Sequence, residues 1–175
     1  MEAPITSRLV LRPLLPEDAG ALFALTSDYR VARFMRFSTQ RDPADAARLL
    51  REYTAPGNAA FALLCRDTGS FAGVFILQAG GTAGEYGLSL MLSPSLWARG
   101  IAAELLEALL PYAGEELGAR VLTAHVLESN LPSRRVLTKN GFAVEAVLHF
   151  PDCPDGLLVY RRSLDKSPLK GVRFP

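Results

Sequence analysis

Side chains able to do chemistry are sparse in this 175-residue chain, and they form no familiar catalytic pattern. Cys65 and Cys153 lie far apart, with no CxxC pair and no second ligand cluster, so no metal site is expected and both read as reduced thiols. His125 and His149 fall within apolar runs, where a hydrogen-bonded sheet histidine is the default reading. No GxSxG surrounds Ser133, which argues against a triad nucleophile. Neither a GxxxxGK[ST] phosphate loop nor a GxGxxG dinucleotide fingerprint occurs.

The most informative stretch holds no nucleophile at all. Residues 97–106 read WARGIAAELL and open an alanine- and leucine-rich helix. The first N–H groups of a helix lack internal partners, and the macrodipole adds about half a positive charge there. Gly100 allows close approach and unusual backbone angles, while Ala98, Ala102 and Ala103 leave room around the turn. Such a loop is suited to cradle a phosphate or pyrophosphate through its backbone. The alternative is a plain helix start with an incidental glycine.

The elements that must hold this loop follow from periodicity. Residues 7–14 read as a strand with Leu9 and Leu11 on one side and Arg8, Val10 and Arg12 on the other. Residues 15–28 read as a helix with Pro16 at its start and Glu17 and Asp18 in its first turn; 29–37 read as a short helix or turn. Asp42 and Pro43 open a further helix over 42–54. A strand hairpin is expected over 59–79 and a third strand over 85–94. Then come a long helix over about 99–117, which Pro111 should kink or trim, a strand over 119–127, a helix over 130–141 ended by Gly141, and strands over 142–150 and 157–164. This order predicts one α/β domain over residues 1–165, with a mixed sheet and a helical crossover, and a polar tail over 166–175.

Composition bounds the function classes. A chain of this length can bury roughly two thirds of its unfolded surface without disulfides or metals. With 49% apolar and 21% charged residues it falls in the soluble globular range. A net charge of +1 argues against a nucleic-acid partner. No apolar run spans a membrane and the start MEAPITSR lacks a signal pattern, so a cytoplasmic protein without membrane contact is expected.

Three ordered segments carry a resemblance. The loop stands as Trp97-Ala98-Arg99-Gly100-Ile101-Ala102, against a Q/R-x-x-G-x-G/A pattern. A second pattern, N-x-x-S-x-x-V-L-x-K-x-G-F, is met by Asn130, Ser133, Val136, Leu137, Lys139, Gly141 and Phe142. The opening TSRLVLRPLLPEDAGALFAL completes the set. Together they resemble the GNAT superfamily of N-acetyltransferases, most closely the branch with the ribosomal-protein alanine N-acetyltransferases. The likeness covers the chain to about residue 164.

That resemblance implies a mostly antiparallel, twisted sheet of about seven strands with splayed central strands, flanked by about four helices. It implies acetyl-CoA as co-substrate, no metal, and direct transfer of acetyl to a primary amine. The loop Trp97, Ala98, Arg99, Gly100, Ile101 and Ala102 would hold the pyrophosphate. Met91 and Leu92 would pair with the pantetheine amides. The Leu92 N–H would polarise the thioester carbonyl, and Asn130 would hold the arm. Glu85, at the place of an E-x-G carboxylate, would act as base directly or through water; the plain alternative is an exposed strand-end glutamate. Ser133 would protonate the leaving thiolate, or merely cap its helix or contact the coenzyme. Trp97 reads as a loop anchor, with adenine stacking as the alternative. Arg99, Arg134, Arg135 and Lys139 either gather at the coenzyme phosphates or form solvated faces.

The stretch HFPDCPDGLLVYRRSL lacks the Arg and W-x-D often found in that branch, leaving the acceptor open. A protein N-terminal α-amine leads, because its pKa of about 8 leaves part of it neutral, whereas a lysine near about 10.4 needs more help. A small-molecule amine (antibiotic, polyamine or amino-acid-like) and a non-catalytic acyl-CoA sensor are the alternatives. Either a monomer or a homodimer is compatible.

Overall fold

In a computed structural model that describes residues 6–35, 37–151 and 153–164, the chain forms one seven-stranded sheet between two helical layers. The strands are β1 (Leu9–Pro13), β2 (Ala59–Cys65), β3 (Phe71–Ala79), β4 (Glu85–Leu92), β5 (Val121–Leu127), β6 (Ala143–Phe150) and β7 (Cys153–Ser163). The helices are α1 (Ala19–Thr26), α2 (Tyr29–Ala32), α3 (Pro43–Tyr53), α4 (Ile101–Glu116) and α5 (Leu131–Lys139). Spatial order is β1-β2-β3-β4-β5-β7-β6, and only the β4–β5 contact is parallel. The α4 crossover makes that parallel pair, as the strand–helix–strand pattern predicts.

Strand alternation distributes the core. On one face Phe75 and Leu77 of β3 pack with Leu105, Leu106 and Leu109 of α4 and Leu137 of α5. On the other, Val74 and Ile76 meet Leu22 and Leu25 of α1 and Leu50 and Tyr53 of α3. β3 is thus buried on both faces, which explains its nearly continuous apolar run.

Several sequence expectations are refined. The helix expected over 15–28 begins as a 3-10 turn at Pro16–Asp18, and α1 proper starts at Ala19. Asp18 is buried, paired with Arg12 at 2.7 Å, and accepts the Leu15 N–H at 2.8 Å. That Arg12 bond holds its carboxyl below the ordinary value. Pro111 does not trim α4, which runs on to Glu116. The carbonyl four residues back, at Glu107, loses its helical donor. Both residues face solvent, where water can take over. β7 begins at Cys153, earlier than the apolar run suggested. Cys65 is a free thiol. The expectations for the Cys153 side chain and the tail over 166–175 fall outside the described residues.

Candidate active site

The site begins where the sheet comes apart. β4 and β5 pair only at Glu85, Tyr86 and Gly87, opposite Val121, Leu122 and Thr123. Beyond that point β4 continues to Leu92 and β5 to Leu127, with no ladder between them among the described residues. A strand in mid-sheet should be as buried as β3, yet every residue from Glu85 to Leu90 is only half-buried. The sheet holds a wedge open to solvent, and both helices that follow these strands, α4 and α5, start at its mouth.

Hydrogen-bond parity decides which groups line the wedge. Ser93 donates its N–H to the Ala72 carbonyl at 2.8 Å, so in antiparallel register Met91 also turns its N–H and C=O toward β3, opposite Val74. Leu90 and Leu92 turn theirs toward the wedge. Leu90 rather than Met91 therefore neighbours Leu92 along the open edge, and the Met91 side chain is buried against the α1–α3 layer. Trp97 reaches back and donates its indole N–H to the Leu92 carbonyl at 2.9 Å, tying the loop to the strand end.

The loop itself has an unusual backbone. Ala98 adopts φ 57° and Gly100 φ 75°, ψ 3°, both left-handed, before α4 starts at Ile101. For alanine that region costs roughly 1–2 kcal/mol, so the surroundings must hold it there. Left-handed turns of this kind present backbone N–H groups on a concave side, forming an anion nest at the helix end. Arg8, far away in sequence, braces the loop from outside. Its NH1 donates to the Arg99 carbonyl at 2.6 Å, and its Nε and NH2 each lie 2.6 Å from the Glu104 carboxylate. Glu104 also accepts the Ser7 hydroxyl at 2.8 Å and the Arg8 N–H at 3.0 Å. Burial alone would push the Glu104 carboxyl up; the donors from Thr6, Ser7 and Arg8 outweigh it and hold it at about 2.

At the other lip, Asn130 caps α5 by accepting the Ser133 N–H at 3.3 Å. Ser133 is therefore the capped residue, not the cap, and its hydroxyl has no hydrogen-bond partner among the described residues. Arg134, Arg135 and Lys139 line an open groove of about 390 Å³ beside Tyr160, with Arg134 donating to the Glu128 carbonyl at 2.8 Å. Arg99 is not among the residues lining that groove.

Glu85 sits just below the point where the strands part. Tyr86, Leu88, Leu90 and Leu92 pack toward α4, so alternation turns Glu85 and Ser89 to the opposite face of the sheet. There Arg161 of β7 donates to Glu85 at 3.0 Å and lies 3.7 Å from Glu145, which stands at a register shift in β6. At about 3.3 Å per residue, Glu85 and Leu92 are roughly 23 Å apart along β4. Joint action of the Leu92 N–H and the Glu85 carboxylate on one carbonyl does not fit that spacing. A carbonyl lying deeper in the wedge, against Leu90, is closer to Glu85. His125 and His149 both occupy exposed strand positions.

Arg8, Glu104, Arg161 and Glu145 carry no motif signal, because each acts through a partner brought close only by folding. The sole hint was Arg8 standing just ahead of the Leu9 and Leu11 alternation.

A sheet wedge with an N–H nest at its mouth can take an extended ligand that carries a phosphate. The family profile described as "Acetyltransferase (GNAT) domain" matches residues 8–143, and the chain belongs to that family. It is an acyltransferase. An uncharacterized N-acetyltransferase p20 of Bacillus licheniformis is 29% identical over 98% of this chain and 100% of its own length. The uncharacterized N-acetyltransferase YoaA of Bacillus subtilis (strain 168) is 28% identical over 82% of this chain and 84% of its own. Among solved structures, a GNAT-family acetyltransferase from Bacillus anthracis superposes with a TM-score of 0.79 at 20% identity, covering 92% of this chain and 98% of that one. A spermidine N-acetyltransferase from Vibrio cholerae, solved with CoA and spermine, also gives 0.79, at 15% identity over 90% and 96% of the two chains. No described helix is long and apolar enough to cross a membrane.

Proposed function

We propose that this protein transfers acetyl from acetyl-CoA directly to a primary amine, with a protein N-terminal α-amine as the leading acceptor. The observation that carries this reading is the open β4–β5 wedge ending in the left-handed turns at Ala98 and Gly100. The pyrophosphate binds the N–H groups of residues 98–102, with Trp97 and Arg99 framing the loop. Pantetheine extends along Leu92, and Asn130 holds it from the facing lip through its carboxamide nitrogen. Met91 supports that edge from the β3 side.

Within this frame the amine nitrogen attacks the thioester carbon, and the carbonyl oxygen gains charge. The Leu90 N–H stabilises that charge in the wedge. Glu85 takes the amine proton through a chain of several waters, because Leu90 stands five residues, roughly 17 Å, farther along β4. Collapse expels the coenzyme thiolate, which Ser133 protonates, its hydroxyl being restored from solvent. Arg161 lies between two carboxylates, so releasing Glu85 to the acceptor leaves it Glu145 as a partner.

A second reading, a small cationic amine as acceptor, is favoured by the two carboxylates Glu85 and Glu145 that share Arg161 and by the spermidine acetyltransferase neighbour. Thioester consumption measured with N-terminal peptides, polyamines and aminoglycosides separates the two. Glu85→Gln should lower turnover roughly 10²-fold while coenzyme binding is kept. Unchanged turnover removes the base assignment, and tight coenzyme binding without turnover on any amine favours a sensor.

A further inference from the structure

The brace on the outer side of the coenzyme loop has no part in the chemistry proposed above, yet it fixes the loop's most consequential peptide. We infer that Arg8 is a positioning residue for coenzyme binding: it holds the Arg99–Gly100 peptide so that the Gly100 N–H faces the pyrophosphate. This rests on the cradle reading of the loop.

The argument is geometric. A trans peptide is planar, with its C=O and N–H pointing in opposite directions. The Arg99 carbonyl is bound by Arg8 NH1 at 2.6 Å, so the Gly100 N–H of the same peptide points away from Arg8. Arg8 NH2 also lies 3.8 Å from where a Gly100 Cβ would stand, which places the guanidinium on the outer side of the turn. Gly100, on the C-terminal side of this peptide, is left-handed at φ 75° and has no Cβ to oppose a change in φ, so this peptide is free to flip unless its carbonyl is held. A flip would turn a carbonyl, not an N–H, toward the phosphates.

Glu104 supplies the second half of the device. It stands in the first turn of α4, where an unpaired carboxylate would repel the coenzyme phosphates. Arg8 neutralises it through Nε and NH2 while NH1 keeps the carbonyl. Only a planar fork serves both partners at once, so lysine can restore the ion pair but not both grips.

The test compares Arg8→Gln, Arg8→Lys and Gly100→Val by calorimetric titration with CoA, by acetyl-CoA KM and kcat, and by thermal melting. Arg8→Gln should weaken CoA binding and raise the acetyl-CoA KM at least tenfold, with kcat at saturation within about threefold of wild type. Arg8→Lys should regain most of the melting temperature and little of the affinity. Wild-type CoA affinity in Arg8→Gln, or recovery of affinity and melting together in Arg8→Lys, overturns the inference. Gly100→Val separates the two levels. If it loses CoA binding while Arg8→Gln keeps it, only the role of Arg8 fails. If Gly100→Val itself binds CoA normally, the cradle fails, and Arg8 with it.

Discussion

Replacing Gly73 with alanine should damage both the fold and the coenzyme edge, by an amount the geometry sets. Gly73 lies opposite Leu92, beside a register shift between Leu63 and Leu64, with φ 153°. A Cβ there would stand 2.0 Å from the Met91 carbonyl oxygen and 3.0 Å from Leu92 Cα. The first contact is short of ordinary packing by roughly 1 Å or more, and both neighbours are backbone that no rotamer change can move. Strand β4 must retreat from β3 at the point where its edge carries Leu90 and Leu92. Overpacking and weakened ladder bonds together cost about 3–5 kcal/mol, which for a domain of this size lowers the melting temperature by roughly 10 °C. A displacement near 1 Å beside the thioester should also cut turnover by up to about 10²-fold. Thermal melting and acetyl-CoA kinetics read the two effects. Gly20→Ala is the control: it lies in α1 with nothing within 4 Å of its Cβ, so it should be neutral or stabilising by up to about 1 kcal/mol. A Gly73→Ala protein that melts and turns over like wild type refutes the close approach of β3 and β4 and the reading of the edge built on it.

Two further outcomes follow from the lips of the wedge. Glu104 is held at about 2 when folded, below its ordinary 4.5, so its stabilisation is complete above about pH 4.5 and is lost as pH falls toward 2. Denaturant unfolding should therefore show wild type ahead of Glu104→Gln by roughly 2 kcal/mol at neutral pH, with the gap closing in acid; a gap independent of pH contradicts the carboxylate's role. Ser133→Ala should change stability by less than about 0.5 kcal/mol, since Asn130 supplies the cap. If Ser133 is the acid, the same variant lowers kcat roughly tenfold or more with CoA affinity unchanged; a normal kcat assigns it no part in the transfer.

Much of the fold was legible in the chain. Short apolar runs at 59–65 and 71–79 bounded by turn residues, with the alternation of 85–92, marked the meander, and the leucines of 101–110 marked the crossover helix. These are local signals, because side-chain period and backbone geometry are set within a few residues. The loop ahead of α4 was marked for the same reason: Gly100 with Ala98 close by, before a helix, allows the left-handed turns that the fold shows. Exposed Pro111, by contrast, did not trim α4, since the damage proline does depends on whether water can reach the freed carbonyl.

What folding alone decided is which backbone groups and charges meet. Whether Met91 or Leu90 faces the wedge depends on the hydrogen-bond phase of β3 against β4, fixed near Ser93 and Ala72 and invisible in side-chain type. The distance from Glu85 to the loop is a strand length, and the partners of Glu85 and Glu104 come from β7 and from the start of β1. Sequence fixes element type because propensity and pattern act locally. The site's alignment and electrostatics arise between residues separated by most of the chain, and only tertiary packing brings them within a few ångströms.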